Sequence, residues 1–248
     1  MKLKLACWTT VLALCVVPAA QAAEFSFTPT LTNDYDFRGI SLSNQEPALQ
    51  LSFDVAFDSG LYGFVWGSNT DFGVPGVDTE IDFAVGYGNS INDRFSYDLG
   101  IVMYTYIGGS EFNYPEIYAG VEAAVSESFT VGGKLWYSND YAASDEAGTY
   151  VEVNATYALP IWDMGLTLHA GYSAGDYWDL VEDRNGNPVG SYVDYSVGLT
   201  KDVGNLSFAL KYVDGSDLDD VPGSNLNSTD SRVPSFRRAG TDRIWPSP

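Results

Sequence analysis

The sequence predicts an all-β protein, an antiparallel transmembrane β-barrel of about 12 strands of the outer-membrane type. Three observations lead to this prediction. Apolar and polar residues alternate with a period of two along most of the chain. No apolar run after the N-terminus is long enough for a spanning helix. The connections between alternating segments are long and short in turn, as in outer-membrane barrels.

Composition excludes two other classes of protein. The 248 residues contain 33 Asp plus Glu against 12 Lys plus Arg, for a formal net charge of −21, and 15% of them are aromatic. An aromatic-rich chain of this length is expected to fold rather than to stay disordered. Because phosphate binding needs a basic surface, we expect no nucleic-acid partner.

The first 22 residues have the pattern of a signal peptide. Two lysines precede an apolar stretch over residues 5–17, and residues 20–22 form an A-x-A cleavage site. Cleavage there removes both cysteines, Cys7 and Cys15, so the mature protein is expected to have no disulfide and no cysteine metal site. We therefore expect export through the periplasm to the outer membrane, with a signal anchor as the alternative reading.

The alternation predicts eleven strands and a twelfth candidate after Ser228. In residues 80–88, for example, Ile81 falls on one face while Glu80 and Asp82 fall on the other. The predicted strands lie at 25–37, 49–57, 61–68, 80–88, 95–103, 117–123, 129–137, 151–157, 166–172, 193–199 and 206–212.

The connections between the predicted strands fall into a long group and a short group. The long ones are 38–47, 68–78, 108–115, 138–148, 173–191 and 213–228, and the short ones are 58–60, 89–94, 126–128, 159–165 and 201–205. A barrel of this type has short periplasmic turns and long external loops. A soluble β-sandwich is the alternative, but it has less reason to sort its loops in this way. Aromatic residues near strand ends fit interfacial girdles: Tyr35, Phe37, Phe57, Tyr87, Phe95, Phe129, Tyr137, Tyr157, Tyr172 and Tyr212.

The polar set of each strand is expected to face inward, because side chains that face lipid must be apolar. The charged residues predicted to line the lumen are Asp54, Glu80, Asp82, Asp98, Glu116, Glu122, Glu152 and Asp194, with Lys134 and Lys211. His169 falls on the same face, and Asp34, Asp36 and Arg38 are expected at the outer mouth.

The inward charges predict a wet lumen, because carboxylates without cations avoid a dry interior. A wet acidic tube favours cations, so we expect a pore for passive diffusion of small hydrophilic solutes with a cation preference. The alternative is a hydrogen-bonded plug across a narrow barrel, since 12 strands lie between filled and open barrels.

Catalytic and metal-binding patterns are weak. His169 is the only histidine, so a Ser/His/acid site could be built only around it, and the spacing to Ser173 and Asp176 has no specificity. We therefore predict no catalytic, cofactor or metal site. An outer-membrane hydrolase and a structural or adhesive barrel stay as alternatives.

One predicted outer loop is strongly acidic. It contains Asp214, Asp217, Asp219 and Asp220 beside a glycine, without the spacing of an EF-hand. The favoured reading is a solvated loop that bridges to lipopolysaccharide through divalent ions, and a Ca²⁺ site built from these carboxylate oxygens is the alternative.

Three segments carry a resemblance to a known family. Residues 33–41 (NDYDFRGIS), 47–50 (PALQ) and 59–69 (SGLYGFVWGSN) resemble the proteobacterial TorF family of porins, also known as the Gcw_chp family. The match continues through most of residues 24–231. The resemblance implies an outer-membrane β-barrel. The partners we expect for such a barrel are outer-membrane lipid and lipopolysaccharide, the barrel-assembly machinery and small solutes.

The C-terminus departs from that family's pattern. The predicted organisation is a signal peptide over 1–22, a barrel over 23–231 and an atypical tail over 232–248 in place of the expected closing strand. The tail contains four arginines and three prolines, and Pro234 cannot donate to a β-ladder. We expect that a frameshift or altered terminus replaced roughly the last strand.

Overall fold

The computed structural model describes residues 23–71, 73–183 and 185–216. The predicted signal peptide, the tail over 232–248, the twelfth strand candidate and three of the four loop aspartates (Asp217, Asp219 and Asp220) lie outside the described residues. Across the described ranges, no helix is both long enough and apolar enough to cross a membrane.

The described chain is almost entirely antiparallel β-structure. Eleven strands form one sheet in which each strand pairs with the next along the chain. They are β1 (Ala23–Thr32), β4 (Ala48–Phe57), β5 (Leu61–Asn69), β6 (Thr79–Ser90), β7 (Phe95–Ile107), β8 (Tyr114–Ser126), β9 (Phe129–Ser138), β10 (Gly148–Ala158), β11 (Met164–Ala174), β12 (Ser191–Val203) and β13 (Leu206–Gly215). The predicted all-β fold is confirmed.

The long connections carry the remaining elements. The loop after β1 forms a hairpin of β2 (Asp36–Phe37) and β3 (Ile40–Ser41), and two 3₁₀ helices span Ser110–Phe112 and Tyr141–Ala143. A short α-helix, α1 (Asp176–Leu180), follows β11. The predicted first strand was therefore too long, because the chain leaves the sheet after Thr32 and enters the hairpin. Pro29 is tolerated in β1 because β1 is an edge of the described sheet.

The two faces of the sheet have opposite character, as the alternation predicted. On β6, Phe83 and Val85 are 49% and 56% exposed, whereas Glu80 and Asp82 are 1% and 0% exposed. The same distribution of exposed apolar and buried polar side chains recurs along the other strands. An exposed apolar face is suited to lipid, and it contradicts the sandwich alternative, in which that face would pack on a second sheet.

The sheet curls around a lumen, because side chains from distant strands meet on its polar face. The Tyr62 hydroxyl of β5 is hydrogen-bonded to Asp98 of β7 and to the hydroxyl of Tyr118 of β8. The hairpin after β1 reaches β13 through Asp36 and Lys211, 3.6 Å apart. In the described part of the sheet, β1 and β13 are the two edges and are not paired with each other.

Two aromatic residues were wrongly predicted to lie in an interfacial girdle. Tyr35 is 3% exposed and packs against Trp66, with ring centroids 5.2 Å apart. Phe37 packs edge-on against Tyr104 at 5.8 Å. Both enter the lumen because the segment after β1 folds inward rather than continuing the strand.

Candidate functional site in the lumen

A vestibule occupies the lumen at the end of the sheet with the short turns. This cavity of about 750 Å³ is lined mainly by the ends of β4 to β10. Its charged residues are Asp58, Asp98, Glu122, Glu152 and Lys134. The Lys134 ammonium pairs with Asp98 at 2.9 Å, and no other Lys or Arg of the described chain lines this cavity. The vestibule is therefore strongly acidic.

A smaller chamber of about 120 Å³ adjoins the vestibule at Glu152, which lines both cavities. Its charged residues come from the β2–β3 hairpin and from strands β10 to β13. The chamber is lined by Asp36, Phe37, Arg38, Tyr104, Trp136, Tyr150, Glu152, His169, Asp194, Ser196, Lys211 and Val213. The lumen thus narrows from the short-turn end toward the hairpin.

Arg38 is the centre of this constriction. Its guanidinium donates to both carboxylate oxygens of Glu116, with distances of 2.9 and 2.6 Å, and the two side chains are 6% and 0% exposed. The same guanidinium lies 4.6 Å from the ring centroid of Phe37 and 4.4 Å from that of Tyr150. The expected position at an open mouth was wrong, because the hairpin buries Arg38 inside the lumen where a carboxylate and aromatic faces compensate its charge.

The hairpin fits closely against the wall at Gly39. A side-chain Cβ at this position would lie 2.7 Å from the Cβ of Asp194, and the φ angle of Gly39 is +80°. Both constraints favour glycine, which has no Cβ and adopts positive φ at little cost. Glycine therefore allows the tip of the hairpin to approach β12.

Aromatic rings close over the end of the lumen with the long loops. Tyr114 stacks on Tyr104 at 4.8 Å, and Tyr141 lies 5.1 Å from Tyr114. Tyr177 and Trp178 of α1 extend this packing. Burial raises the pKa of Tyr177, so its hydroxyl stays neutral at physiological pH. This aromatic cap narrows the lumen beyond the hairpin.

His169 is hydrogen-bonded at both ring nitrogens. Nε2 lies 2.8 Å from Asp194 Oδ1, and Nδ1 lies 2.7 Å from Asn154 Oδ1. The Asn154 amide nitrogen donates to Glu152, which fixes the amide oxygen toward the ring. The Tyr150 hydroxyl also lies 2.9 Å from Nε2, so this network fixes the imidazole ring in the wall of the chamber.

The described residues do not assemble a Ser/His/acid site. Ser173 is 2% exposed and Asp176 begins α1, and neither is hydrogen-bonded to His169. The described chain also has no group of three or more His, Cys, Asp or Glu side chains that could hold a metal ion.

The other predicted lumen residues face inward without lining either cavity. Asp34 was wrongly expected at the outer mouth: it is fully buried and accepts hydrogen bonds from Ser41 at 2.5 Å and Ser43 at 3.1 Å. Asp54 is hydrogen-bonded to Ser26 and Ser52. Glu80 and Asp82 are buried in the wall at β6, and Glu116 is occupied by Arg38.

Sequence reasoning missed several residues that shape the lumen. Asp58 lies in a turn yet lines the vestibule, and Tyr104, Trp136 and Tyr150 line the chamber. Strand parity could have found Trp136, since it shares its face with Lys134. Trp136 was missed because the sequence analysis assigned aromatic residues to the lipid-facing side of the barrel.

Together, these features define a class of protein. An antiparallel sheet that is apolar outside, charged inside, and bordered by short turns at one end and long loops at the other has the architecture of an outer-membrane porin. The solved KdgM porin matches with a TM-score of 0.54 and 13% identity, over 78% of this chain and 92% of that one. The NanC porin matches with a TM-score of 0.57 and 11% identity, over 86% of this chain and 100% of that one. At these identities the likeness shows the fold.

The family is identified by sequence. The chain belongs to the family described as "Bacterial protein of unknown function (Gcw_chp)", whose model matches residues 17–231. The resemblance to Gcw_chp noted from the sequence is thereby confirmed. No curated protein sequence matches this chain.

Proposed function

We propose that this protein is an outer-membrane channel for passive diffusion of small hydrophilic solutes, with a preference for cations. The observation that carries the proposal is the charge of the vestibule, where four carboxylates face one ammonium group. Charge of one sign along a cleft with low-dielectric walls raises the local concentration of counter-ions. Cations should therefore enter the lumen more readily than anions.

The acidic lumen favours small cations over acidic sugar chains. One similar structure is the KdgM porin in complex with disordered oligogalacturonate, at a TM-score of 0.53 and 13% identity over 78% of this chain and 92% of that one. Oligogalacturonate is a polyanion, which like charges in this vestibule would repel. The two proteins share a fold, and the charge of the vestibule argues for a different solute here.

A second candidate function is that of a non-conducting structural or adhesive barrel. The hairpin and the aromatic cap favour it, because Arg38, Tyr114 and Tyr141 fill much of the lumen toward the long loops. Under either function we expect contact with outer-membrane lipid and lipopolysaccharide and insertion by the barrel-assembly machinery.

Planar-bilayer recording separates the two candidates. Refolded protein should give discrete conductance steps, and a KCl gradient should give a reversal potential of the sign that K⁺ selectivity requires. Silence across a range of salts and voltages would support the structural barrel. Recovery of the native protein as a freely dissolved periplasmic species would contradict both candidates.

A further inference from the structure

His169 lies between two carboxylates in the wall of the chamber. Nε2 is 2.8 Å from Asp194 Oδ1 on β12, and Nδ1 is 3.6 Å from Glu152 Oε2 on β10. Both carboxylates belong to Cα partners of Gly171, which is two positions after the histidine on the same face of β11. A Cβ on Gly171 would lie 2.5 Å from Asp194 Oδ2 and would clash with the Tyr150 hydroxyl. Glycine therefore leaves the room in which these groups converge on the imidazole ring.

The Tyr150 hydroxyl stands between the ring and one of the carboxylates. It lies 2.9 Å from Nε2 and 3.0 Å from Asp194 Oδ2. When the ring is an imidazolium, Nε2 donates to Asp194 and Tyr150 donates to the same carboxylate. When Nε2 has no proton, Tyr150 can donate to it, and Nδ1 donates to Asn154 in both cases. Both protonation states of the ring therefore have hydrogen-bonding partners in the wall.

The ring faces the lumen and contributes to the charge of the chamber. The side chain of His169 is 18% exposed and lines the chamber, whereas that of Asp194 is 2% exposed. Besides the histidine, the lining has three carboxylates and two basic side chains, from Asp36, Glu152, Asp194, Arg38 and Lys211. The lining thus has one net negative charge with a neutral ring and none with an imidazolium. Glu116, which is paired with Arg38, adds one further negative charge in both states.

We propose that His169 is a selectivity-determining residue, whose protonation lowers the preference of the channel for cations and whose deprotonation restores it. The inference rests on the proposed channel function and names a residue that regulates it. Histidine is the side chain that ordinarily changes its charge between about pH 5 and 8. A unit charge within about 4–8 Å of a passing ion changes the local concentration of that ion about two- to fivefold in water. Cation preference should therefore rise with pH across this range.

Reversal potentials of the refolded full chain in a KCl gradient, recorded from about pH 5 to 8, test the inference. The K⁺/Cl⁻ permeability ratio of wild type should rise by at least about twofold across the range. His169→Gln has a neutral side chain that still forms hydrogen bonds, so its ratio should stay near the high-pH value of wild type. Any other lumen group that titrates in this range is present in both proteins, so the difference between them isolates His169.

Ser196→Ala is the matched control, because Ser196 is the Cα partner of His169 and lines the same chamber. It should keep the pH-dependent step. NMR of the untagged wild-type chain with ¹⁵N-labelled histidine follows the ring directly and needs no variant, since the sequence has one histidine. The ring should gain its proton over the same pH range as the step in selectivity.

Three results would overturn the inference. They are a wild-type ratio that is constant across the range, a step that persists in His169→Gln or is lost in Ser196→Ala, and a ring whose protonation does not change there. Silence at every pH would refute the channel and this inference together. Conductance without a histidine-dependent step would refute this inference alone.

Discussion

The guanidinium of Arg38 and the carboxylate of Glu116 form two parallel hydrogen bonds inside the lumen, with distances of 2.9 and 2.6 Å. The pair joins the β2–β3 hairpin to the wall at β8. Asp36 of the same hairpin lies 3.6 Å from Lys211 on β13. The hairpin is therefore tied to the wall at two separate places, which makes it a fixed constriction.

Removal of this ion pair should widen the channel. The double variant Arg38→Ala with Glu116→Ala releases the hairpin and should give a larger single-channel conductance than wild type in planar bilayers. Glu116→Ala alone should destabilise the fold by about 3–5 kcal/mol, because it leaves a buried guanidinium without a counter-charge. Urea unfolding should show a smaller loss for the double variant than for this single variant.

The control for that series is Lys201→Ala, which removes an exposed ion pair with Asp163 near a short turn. It should change neither conductance nor stability measurably. Equal conductance of the double variant and wild type would show that the hairpin does not limit the pore.

The acidic vestibule should set ion selectivity. In the double variant Asp58→Asn with Glu122→Gln, two of the four vestibule carboxylates are neutral. The reversal potential in a KCl gradient should move toward zero, because the local excess of K⁺ falls with the charge of the cavity. Asp93→Asn, in an exposed turn that does not line the cavity, serves as control, and an equal shift in that variant would assign the selectivity to surface charge in general.

Arginine substitutions at different depths in the membrane can test whether the outer surface of the sheet faces lipid. Leu168 lies near the middle of β11 and is 47% exposed, whereas Val203 lies at the end of β12 and is 56% exposed. In lipid vesicles, Leu168→Arg should cost about 2–4 kcal/mol of unfolding free energy and Val203→Arg about 0–1 kcal/mol. Similar costs at both positions would contradict the membrane orientation.

Strand parity explains why the sheet was predictable. The pleat places alternate side chains on opposite faces, so the exposed Phe83 and the buried Asp82 follow directly from their positions in β6. The hairpin was not predictable in this way. Arg38 and Glu116 are 78 positions apart, and nothing local to Arg38 distinguishes a residue at an open mouth from one folded into the lumen.

The positions of some aromatic residues were also not predictable from local sequence. Tyr35 sits where an interfacial girdle residue is expected, at the end of a predicted strand, but it is buried beside Trp66. Its inward position depends on the path of the loop after Thr32. That path is stabilised by contacts with β8 and β13, which a local pattern does not encode.

The outer loop after α1 should resist acid. The carboxylate of Asp183 accepts hydrogen bonds from the backbone N–H groups of Asn187 and Asn185, both at 2.8 Å, and these bonds lower its pKa. Because the pKa in the folded state lies below that of the unfolded chain, the stabilisation is present above the ordinary aspartate pKa and is lost as pH falls through the lowered value.

Hydrogen exchange at the amides of Asn185 and Asn187 should therefore stay slow until the pH is below the ordinary aspartate range. Asp183→Asn does not ionise there, so its exchange profile should lack this acid-dependent step. Loss of protection in wild type at or above the ordinary aspartate pKa would contradict the assignment.

Closure of the sheet provides the last prediction. In the described residues, the outer edges of β1 and β13 are not paired with each other, and in hydrocarbon each unpaired backbone group costs several kcal/mol. A further strand between these edges would remove that cost, but Pro234 and the Arg237-Arg238 pair are unsuited to a lipid-facing ladder. Replacement of residues 232–248 by an alternating strand that ends on an aromatic residue should therefore raise the fraction of chain assembled in the outer membrane. The control is a polar sequence of the same length at the same place, and heat-modifiable electrophoretic mobility measures assembly. Equal assembly of the native and rebuilt chains would show that the native terminus does not limit closure.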